Sequence, residues 1–184
     1  DLIINISPGE SKSSICSVLF PAWVWAIDPS IVFLTVSYNI DLAIALAVRH
    51  KDVINSQLYK SVYGTKVKIR DDMDAKFYFT NTAGGYRFSS SVGAKLTGFH
   101  GHIKIMDDPN NPFESYSPEL YYKDASWYDT VYRSRNTEES ITKELFVQQR
   151  CAPNDMTAHI LSKESKPIKH ISLPATSEYD IKPK

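Results

Sequence analysis

The apolar residues of the first half of the chain alternate between strand-like runs and helix-like spacing. Leu2–Ile6 is a short apolar run, and Ile31–Val36 is a continuous run of the kind found in a strand covered on both faces. After each run, apolar residues recur at helical spacing, in Ile15–Trp23 and in Ile40–Val48. Pro21 lies within the first of these helices and should kink it. Alternating strands and helices predict an α/β fold with a mainly parallel central sheet flanked by helices.

The pattern of the middle and of the second half is less regular. Three short strands around Gly84-Gly85 predict a β-hairpin inserted on the sheet. From Ser162 the composition turns to Lys, Ser and Pro, so we expect a linker or loosely held tail there. Asn154 is a possible N-cap for the last predicted helix, with Asp155 in its first turn. The three short strands are Lys66–Ile69, Lys76–Thr80 and Tyr86–Val92, and the last helix is Asn154–Leu161. Two further strands are predicted at His102–Pro109 and Glu144–Arg150, and a further helix at Pro118–Arg133.

Composition sets broad limits on the class of protein. The 184 residues are 42% hydrophobic and 23% charged, as in an ordinary globular protein, and Lys+Arg and Asp+Glu balance at 21 each. The chain therefore has no overall basic field that would attract nucleic acid. Cys16 and Cys151 lie in apolar surroundings, which favours buried thiols in a reducing compartment. We find no signal peptide and no apolar run of the ~18 residues that a membrane span needs, and we interpret the chain as a fragment or excised domain.

The polar loop between the first strand and the first helix has the layout of a phosphate-binding loop. Backbone N–H groups at a loop-to-helix junction bind phosphate oxygens, a Lys adds a mobile positive charge, and the next hydroxyl ligates Mg²⁺. The candidate nucleotide-binding residues are Gly9, Glu10, Ser11, Lys12, Ser13 and Ser14. The strict glycine pattern fails at Ile6 and Ser11, so a polar turn with a solvated Lys is the alternative.

Two further segments carry polar groups where a predicted strand ends. Asp107 and Asp108 follow an apolar strand, where one carboxylate would hold Mg²⁺ and the next would orient an attacking water; an exposed acidic turn is the alternative. The strand end Gln148-Gln149-Arg150 would face the same crevice and sense the γ-phosphate. A polar strand terminus with no role in binding is equally compatible with that pattern.

The remaining candidates are weaker. His100 and His102 form an H-x-H pair, but no further ligand lies at metal-binding spacing. Arg133 and Arg135 follow the predicted long helix and are candidates for phosphate-stabilising arginines, with a solvated helix face as the favoured alternative.

With these residues in place, the chain resembles the large terminase subunit of tailed bacteriophages. The loop Ser7–Ser14 resembles that family's phosphate-binding loop, and FPAWV and SYNIDLA match the helix and turn that follow. GGYRFSSSVGAKLTG followed by MDDP is the most specific part. FVQQRCAPNDMTAHIL resembles the family's coupling segment, and ISLPA resembles the strand after it.

The resemblance implies a RecA-like P-loop ATPase of the additional-strand type, with ATP and Mg²⁺ as ligands. It implies that Lys12 binds the phosphates, that Ser13 and Asp107 bind Mg²⁺, and that Asp108 is the catalytic acid. Gln149 and Arg150 would form the coupling motif, and Arg150 is also a candidate catalytic arginine. The domain would span residues 1–162, with 163–184 leading toward a nuclease domain that these residues do not include.

The implied function is an ATP-driven motor that moves viral DNA into the procapsid. Its implied partners are double-stranded DNA, the portal protein, the small terminase subunit and further copies in a ring, in the host cytoplasm and without a membrane. Ser11 replaces the family's usual glycine, and Phe99-His100 stand where many relatives carry an arginine finger. Two other interpretations remain open: a helicase-like P-loop motor, and a degenerate assembly or scaffold domain that hydrolyses nothing.

Overall fold

The structure is a computed structural model that describes residues 1–64, 66–112, 117–163 and 167–174. Within these ranges, no helix is long and apolar enough to cross a bilayer. The elements in chain order are β1 (Leu2–Ile6), a π-helical segment (Ser14–Leu19), α1 (Phe20–Ile27), β2 (Phe33–Ser37), α2 (Ile40–Asn55), α3 (Gln57–Tyr63), β3 (Ile69–Asp74), β4 (Tyr78–Asn81), β5 (Tyr86–Ser91), β6 (Ile103–Asp107), α4 (Pro118–Trp127), a second π-helical segment (Tyr128–Tyr132), β7 (Lys143–Gln148), α5 (Met156–Lys163) and β8 (Lys169–Leu173).

The strands of the described residues form one eight-stranded sheet in the order β3-β4-β5-β2-β6-β7-β1-β8. Neighbours from β5 to β8 pair in parallel, whereas β3 and β4 are antiparallel additions at one edge. The predicted mainly parallel sheet is therefore confirmed. β7 lies between β1 and β6.

The central strand β2 shows why the sheet needs helices on both faces. Each of its five residues is buried. The consecutive residues Phe33 and Leu34 point to opposite faces and enter different hydrophobic clusters. One cluster packs beneath α1 and α2 and includes Trp25; the other packs beneath α4 and α5 and includes Trp127.

The predicted hairpin is present as β4 and β5, and it is continuous with the sheet because β5 also pairs with β2. Its turn packs closely on the loop after α1. A Cβ on Gly85 would overlap the carbonyl oxygen of Pro29 and lie 2.7 Å from that of Ile31, so the turn needs glycine at this position. The third strand was expected at Lys66–Ile69, but β3 runs over Ile69–Asp74, where five of the six residues are exposed.

The last strand corrects the expectation of a loosely held tail from Ser162. Lys169–Leu173 pairs with β1 over five residues, so backbone hydrogen bonds hold this polar segment in the sheet. The rest of the predicted linker over 163–184 lies outside the described residues, apart from Lys163 in α5 and positions 167, 168 and 174. The boundary at residue 162 stays a prediction.

The first helix runs over residues 12–27 and contains the π-helical segment immediately before α1. Pro21 is the second residue of α1, just after the π-helical segment ends, and the kink expected there stays a prediction. Pro21 has no N–H to donate to the carbonyl of Ser17, four residues earlier. That carbonyl accepts a hydrogen bond from Nη1 of Arg87 at 2.7 Å instead.

His50 of α2 is buried in an aromatic part of the core. Its ring centroid lies 4.9 Å from that of Trp25 and 5.7 Å from that of Phe79. Neither ring nitrogen has a hydrogen-bond partner among the described residues. Burial, and secondly the positive charge of Arg87, hold the pKa of His50 well below its ordinary value.

We expect His50 to weaken the fold as the pH falls. The unfolded chain binds a proton on this histidine near pH 6.5, whereas the folded chain does not. At pH values below 6.5, His50 should therefore lower the free energy of unfolding by up to about 1.4 kcal/mol for each pH unit. His50→Leu should remove that part of the slope in urea titrations between pH 6.5 and 5. The exposed His100→Leu is the matched control, and equal slopes for wild type and His50→Leu would contradict the assignment.

Candidate nucleotide-binding site

The candidate site lies where the carboxyl ends of β1, β7 and β6 meet. The three strands are parallel neighbours, with Asn5 opposite Gln148 and Asp107 opposite Val147. The loop after β1, the two aspartates after β6 and Gln149 after β7 therefore emerge at the same edge of the sheet. This crevice is where open α/β sheets bind ligands.

The loop after β1 turns directly into the first helix. Gly9 and Ser11 both have positive φ, at 85° and 57°, and the N–H of Ile15 donates to the carbonyl of Ser11 at 3.0 Å. The helix begins at Lys12. The first N–H groups of a helix have no intrahelical partner and lie at its positive end, so this junction can bind an anion. Ser11 adopts the left-handed conformation that the usual glycine would adopt more readily.

Lys12 and Asp108 form an ion pair at the mouth of the loop. Nζ of Lys12 lies 2.9 Å from Oδ2 of Asp108, and the side chains are 9% and 19% exposed. Oδ1 of Asp108 accepts a hydrogen bond from the backbone N–H of Gln149 at 3.0 Å. Asp108 has a positive φ of 44°. Its carbonyl accepts a hydrogen bond from the N–H of Tyr38, and its N–H donates to the carbonyl of Val147. The second acid is thus fixed to the strands on both sides.

Asp107 is buried and faces the first helix. Its Oδ1 accepts from the hydroxyl of Ser13 at 2.9 Å, and its Oδ2 accepts from the hydroxyl of Ser17. Burial raises the pKa of Asp107, the two serine hydroxyls oppose that shift, and the charge of Asp108 adds a smaller increase. The two oxygens of the carboxylate are therefore held by hydroxyls one helical turn apart.

Ser13 and Asp107 fit the ligand chemistry of Mg²⁺. A hydroxyl and a carboxylate supply hard oxygen ligands, and Mg²⁺ bound with a nucleotide takes few protein ligands beside phosphate oxygens and water. Across the described ranges, no group of three or more His, Cys, Asp and Glu side chains is placed to hold a metal ion. Ser13 and Asp107 would hold Mg²⁺ together with the phosphate oxygens of a bound nucleotide.

The segment after β7 connects the site to α5. Gln149 contacts Asp108 through its backbone, while Nε of Arg150 donates to Oδ2 of Asp155 at 2.8 Å. Oδ1 of Asp155 accepts from the N–H of Ala158 at 3.2 Å and so caps α5. The expected cap at Asn154 is wrong, because the helix begins one residue after Asp155.

A second link joins the aspartate loop to the same helix. Asn110, three residues after Asp107, accepts a hydrogen bond on Oδ1 from the N–H of Met156, the first residue of α5. Arg150 and Asn110 thus place the start of α5 between the ends of β6 and β7. The sequence pattern did not indicate the role of Asn110.

Other predicted residues lie away from this cluster. The Ser14 hydroxyl accepts from Nη2 of Arg49 at 2.7 Å, and the side chain of Glu10 is exposed. Nδ1 of His102 accepts from the N–H of Val32, a bond that does not depend on any metal. The carbonyl of Arg135 accepts from the N–H of Gly101, just before β6, and so lies at the opposite end of the sheet from the site.

Arg87 and Ser17 are site residues that the sequence reasoning missed. Arg87 of β5 is fully buried, donates from Nε to the hydroxyl of Ser89 at 3.2 Å, and binds the carbonyl of Ser17. Burial lowers the pKa of Arg87 to about 9, and the charge of Asp107 opposes the shift, so the guanidinium stays charged at pH 7. The available signal was Ser17 itself, four residues after Ser13 and on the same side of a helix.

A cavity of about 570 Å³ opens beside the loop. Its lining comes from the ends of β1, β7 and β8, the loops that follow them, and one residue of the loop after β6. The residues are Asn5, Ile6, Ser7, Pro8, Pro112, Gln149, Arg150, Cys151, Ser172, Leu173 and Pro174. A ligand with its phosphates on the loop would have room for further groups here.

The solved structures include one that shares this fold. The large terminase of a thermophilic bacteriophage, in complex with ATP-γ-S, matches with a TM-score of 0.52 at 12% sequence identity. The match covers 93% of this chain and 38% of the terminase chain. No protein-family model and no curated protein sequence matches the chain. The resemblance to phage large terminases and the RecA-like fold are confirmed at the level of the fold.

Ser11→Gly should stabilise the protein by about 0.5–1 kcal/mol. A non-glycine residue in the left-handed region costs about 1–2 kcal/mol, and the greater freedom of glycine in the unfolded chain offsets part of the gain. Urea unfolding without nucleotide measures the change. Ser7→Gly is the matched control in the same loop, since Ser7 does not have positive φ, and it should lose stability. A Ser11→Gly variant less stable than wild type would show that the loop does not adopt this conformation.

Proposed function

We propose that this chain is the ATP-hydrolysing motor domain of a phage terminase large subunit, which drives viral DNA into a procapsid. One observation carries the proposal. The ion pair of Lys12 with Asp108 and the hydrogen bond of Ser13 to Asp107 lie together at a helix N-terminus. The fold shared with a large terminase supports the choice among P-loop motors.

In the proposed reaction, Lys12 exchanges one anionic partner for another. With ATP on the loop, the ammonium group turns from Asp108 to the β- and γ-phosphates, where it neutralises charge in the transition state. Asp108 then loses its nearest cation while Gln149 still holds its other oxygen. The freed carboxylate oxygen accepts a hydrogen bond from water and orients it toward the γ-phosphorus.

Ser13 and Asp107 are the residues that would hold Mg²⁺ with the phosphates. The ion would supply positive charge against the phosphate oxygens. Because Asp107 is buried and its two oxygens already accept from hydroxyls, the carboxylate is oriented before any ligand arrives. Little reorganisation is then needed on binding.

The coupling step uses the contacts of Gln149 and Arg150. The N–H of Gln149 donates to Asp108, and Arg150 is joined to the start of α5 through Asp155. Loss of the γ-phosphate would let Lys12 return to Asp108, and the change at Asp108 would reach α5 through these two residues. Arg150 is 40% exposed, so it is also accessible to a phosphate as a catalytic arginine.

The proposed partners are double-stranded viral DNA, the portal protein, the small terminase subunit and further copies of the chain in a ring, in the host cytoplasm. The sequence resemblance supports them, together with the fold of a protein of which this chain spans 38%. Since positive and negative residues balance, DNA contact would need a local patch rather than the field of the whole chain.

Lys12→Ala should abolish Mg²⁺-dependent ATP binding, and Asp108→Asn should keep binding but slow phosphate release at least ~100-fold. The first change removes the positive charge that would bind the phosphates, and the second removes the carboxylate that would accept a hydrogen bond from water and orient it. Lys51→Ala is the matched control, because Lys51 pairs with Asp74 away from the loop. Calorimetry and a phosphate-release assay measure the two effects.

Other outcomes separate the alternatives. An Asp108→Asn protein as fast as wild type would remove Asp108 from the mechanism. Unwinding that needs neither a DNA end nor a procapsid would favour a helicase-like motor. Absence of nucleotide binding in both wild type and Ser11→Gly would favour a scaffold domain.

A further inference from the structure

The carboxylate of Asp107 is held by two hydroxyls that have different fates in the proposed reaction. Ser13 binds Oδ1, and Ser17 binds Oδ2 from the next turn of the same helix. In the proposed function, on which this inference rests, the Ser13 hydroxyl becomes a metal ligand. Ser17 is then the donor that continues to fix the plane of the carboxylate.

Ser17 is itself held from its other side. Pro21 has no N–H to donate to the Ser17 carbonyl, and Nη1 of Arg87 donates to that carbonyl at 2.7 Å. Ser17 is 1% exposed and lies within the π-helical segment. π-Helical turns of this kind are frequent at functional sites. The hydroxyl and the carbonyl of Ser17 thus connect Asp107 to Arg87.

Arg87 is placed for this role by the sheet. β5 pairs with β2, and β2 pairs with β6, so Arg87 reaches the first helix from a strand two positions away from Asp107. Its guanidinium is fully buried and carries a charge opposite to that of Asp107. A buried cation near a buried anion stabilises the charged form of both.

We propose that Ser17 and Arg87 are positioning residues that hold Asp107 in the orientation in which it binds Mg²⁺. Ser17 acts directly on the carboxylate, and Arg87 acts through the Ser17 carbonyl. Neither residue contacts the nucleotide. The chain of contacts runs from β5 through the first helix to the end of β6.

The test is the affinity of the site for Mn²⁺ in the presence of ATP-γ-S, measured by electron paramagnetic resonance. Ser17→Ala should weaken Mn²⁺ binding by about tenfold, the lower end of the effect of removing a partner of a metal ligand. Ser17→Thr keeps the hydroxyl and should restore the affinity. Thr142→Val is the matched control, since it deletes a buried hydroxyl bonded to Gly101 at the opposite end of the sheet.

Ser17→Cys serves as a second variant of nearly the same size if Ser17→Ala does not fold, and it should weaken Mn²⁺ binding as well. Arg87→Lys tests the indirect contact and should also weaken binding, by less than Ser17→Ala. Wild-type affinity in folded Ser17→Ala, combined with loss in Ser13→Ala, would overturn the positioning role and leave the proposed function intact.

A double-mutant cycle in nucleotide-free protein separates this inference from the proposed function. Ser17→Ala and Asp107→Asn should be coupled by about tenfold in the unfolding equilibrium constant, because a hydrogen bond to a charged group joins them. If wild type binds no Mn²⁺ with ATP-γ-S, the proposed function fails, and so does the metal-orienting role. Additive effects of the two substitutions would show that the contact itself is absent.

Discussion

The parallel pairing of β1, β7 and β6 is the constraint on which the site depends. Three strands that are distant in sequence end at one edge, and each is followed by a polar segment. The apolar residues of these strands enter clusters on both faces of the sheet, so the hydrophobic effect fixes their order and register. The strand order thus brings together the polar groups that follow these strands. A shift of β6 by one residue would turn Asp107 away from the first helix.

Electrostatics explains how charged side chains can lie in the interior of this cluster. Lys12 is 9% exposed and Asp107 is 2% exposed, and an unpaired charge at such positions is costly. Each has a partner: Asp108 for Lys12, and two hydroxyls for Asp107. A phosphate ligand would replace the partner of Lys12 without leaving a buried charge alone, because Asp108 is more exposed and keeps the N–H of Gln149. The arrangement is ready for an exchange of partners.

The apolar runs in the sequence predicted the central strands. The acids at the strand end, together with the loop after the first strand, predicted that Lys12 and Asp108 would lie in one site. The range of the edge strand β3 was predicted wrongly, because backbone pairing holds this strand and its exposed side chains show no alternation of apolar and polar residues. Composition predicted a tail at β8, whereas the resemblance of ISLPA to a strand agrees with Ile171–Leu173 of β8. Ser17 and Arg87 were missed because their contacts depend on helix type and on strand order, which short-range spacing does not encode. The cap at Asp155 depends on a one-residue difference in where α5 starts.

We propose that the loop after β1 binds the phosphates of ATP and that Lys12 changes partners on binding. A crystal structure of the protein with Mg²⁺ and ATP-γ-S tests it most directly. We expect the phosphates at the N-terminus of the first helix, with Nζ of Lys12 moved from Asp108 to a phosphate oxygen. A nucleotide bound elsewhere, or a Lys12–Asp108 ion pair unchanged beside a bound nucleotide, would contradict it.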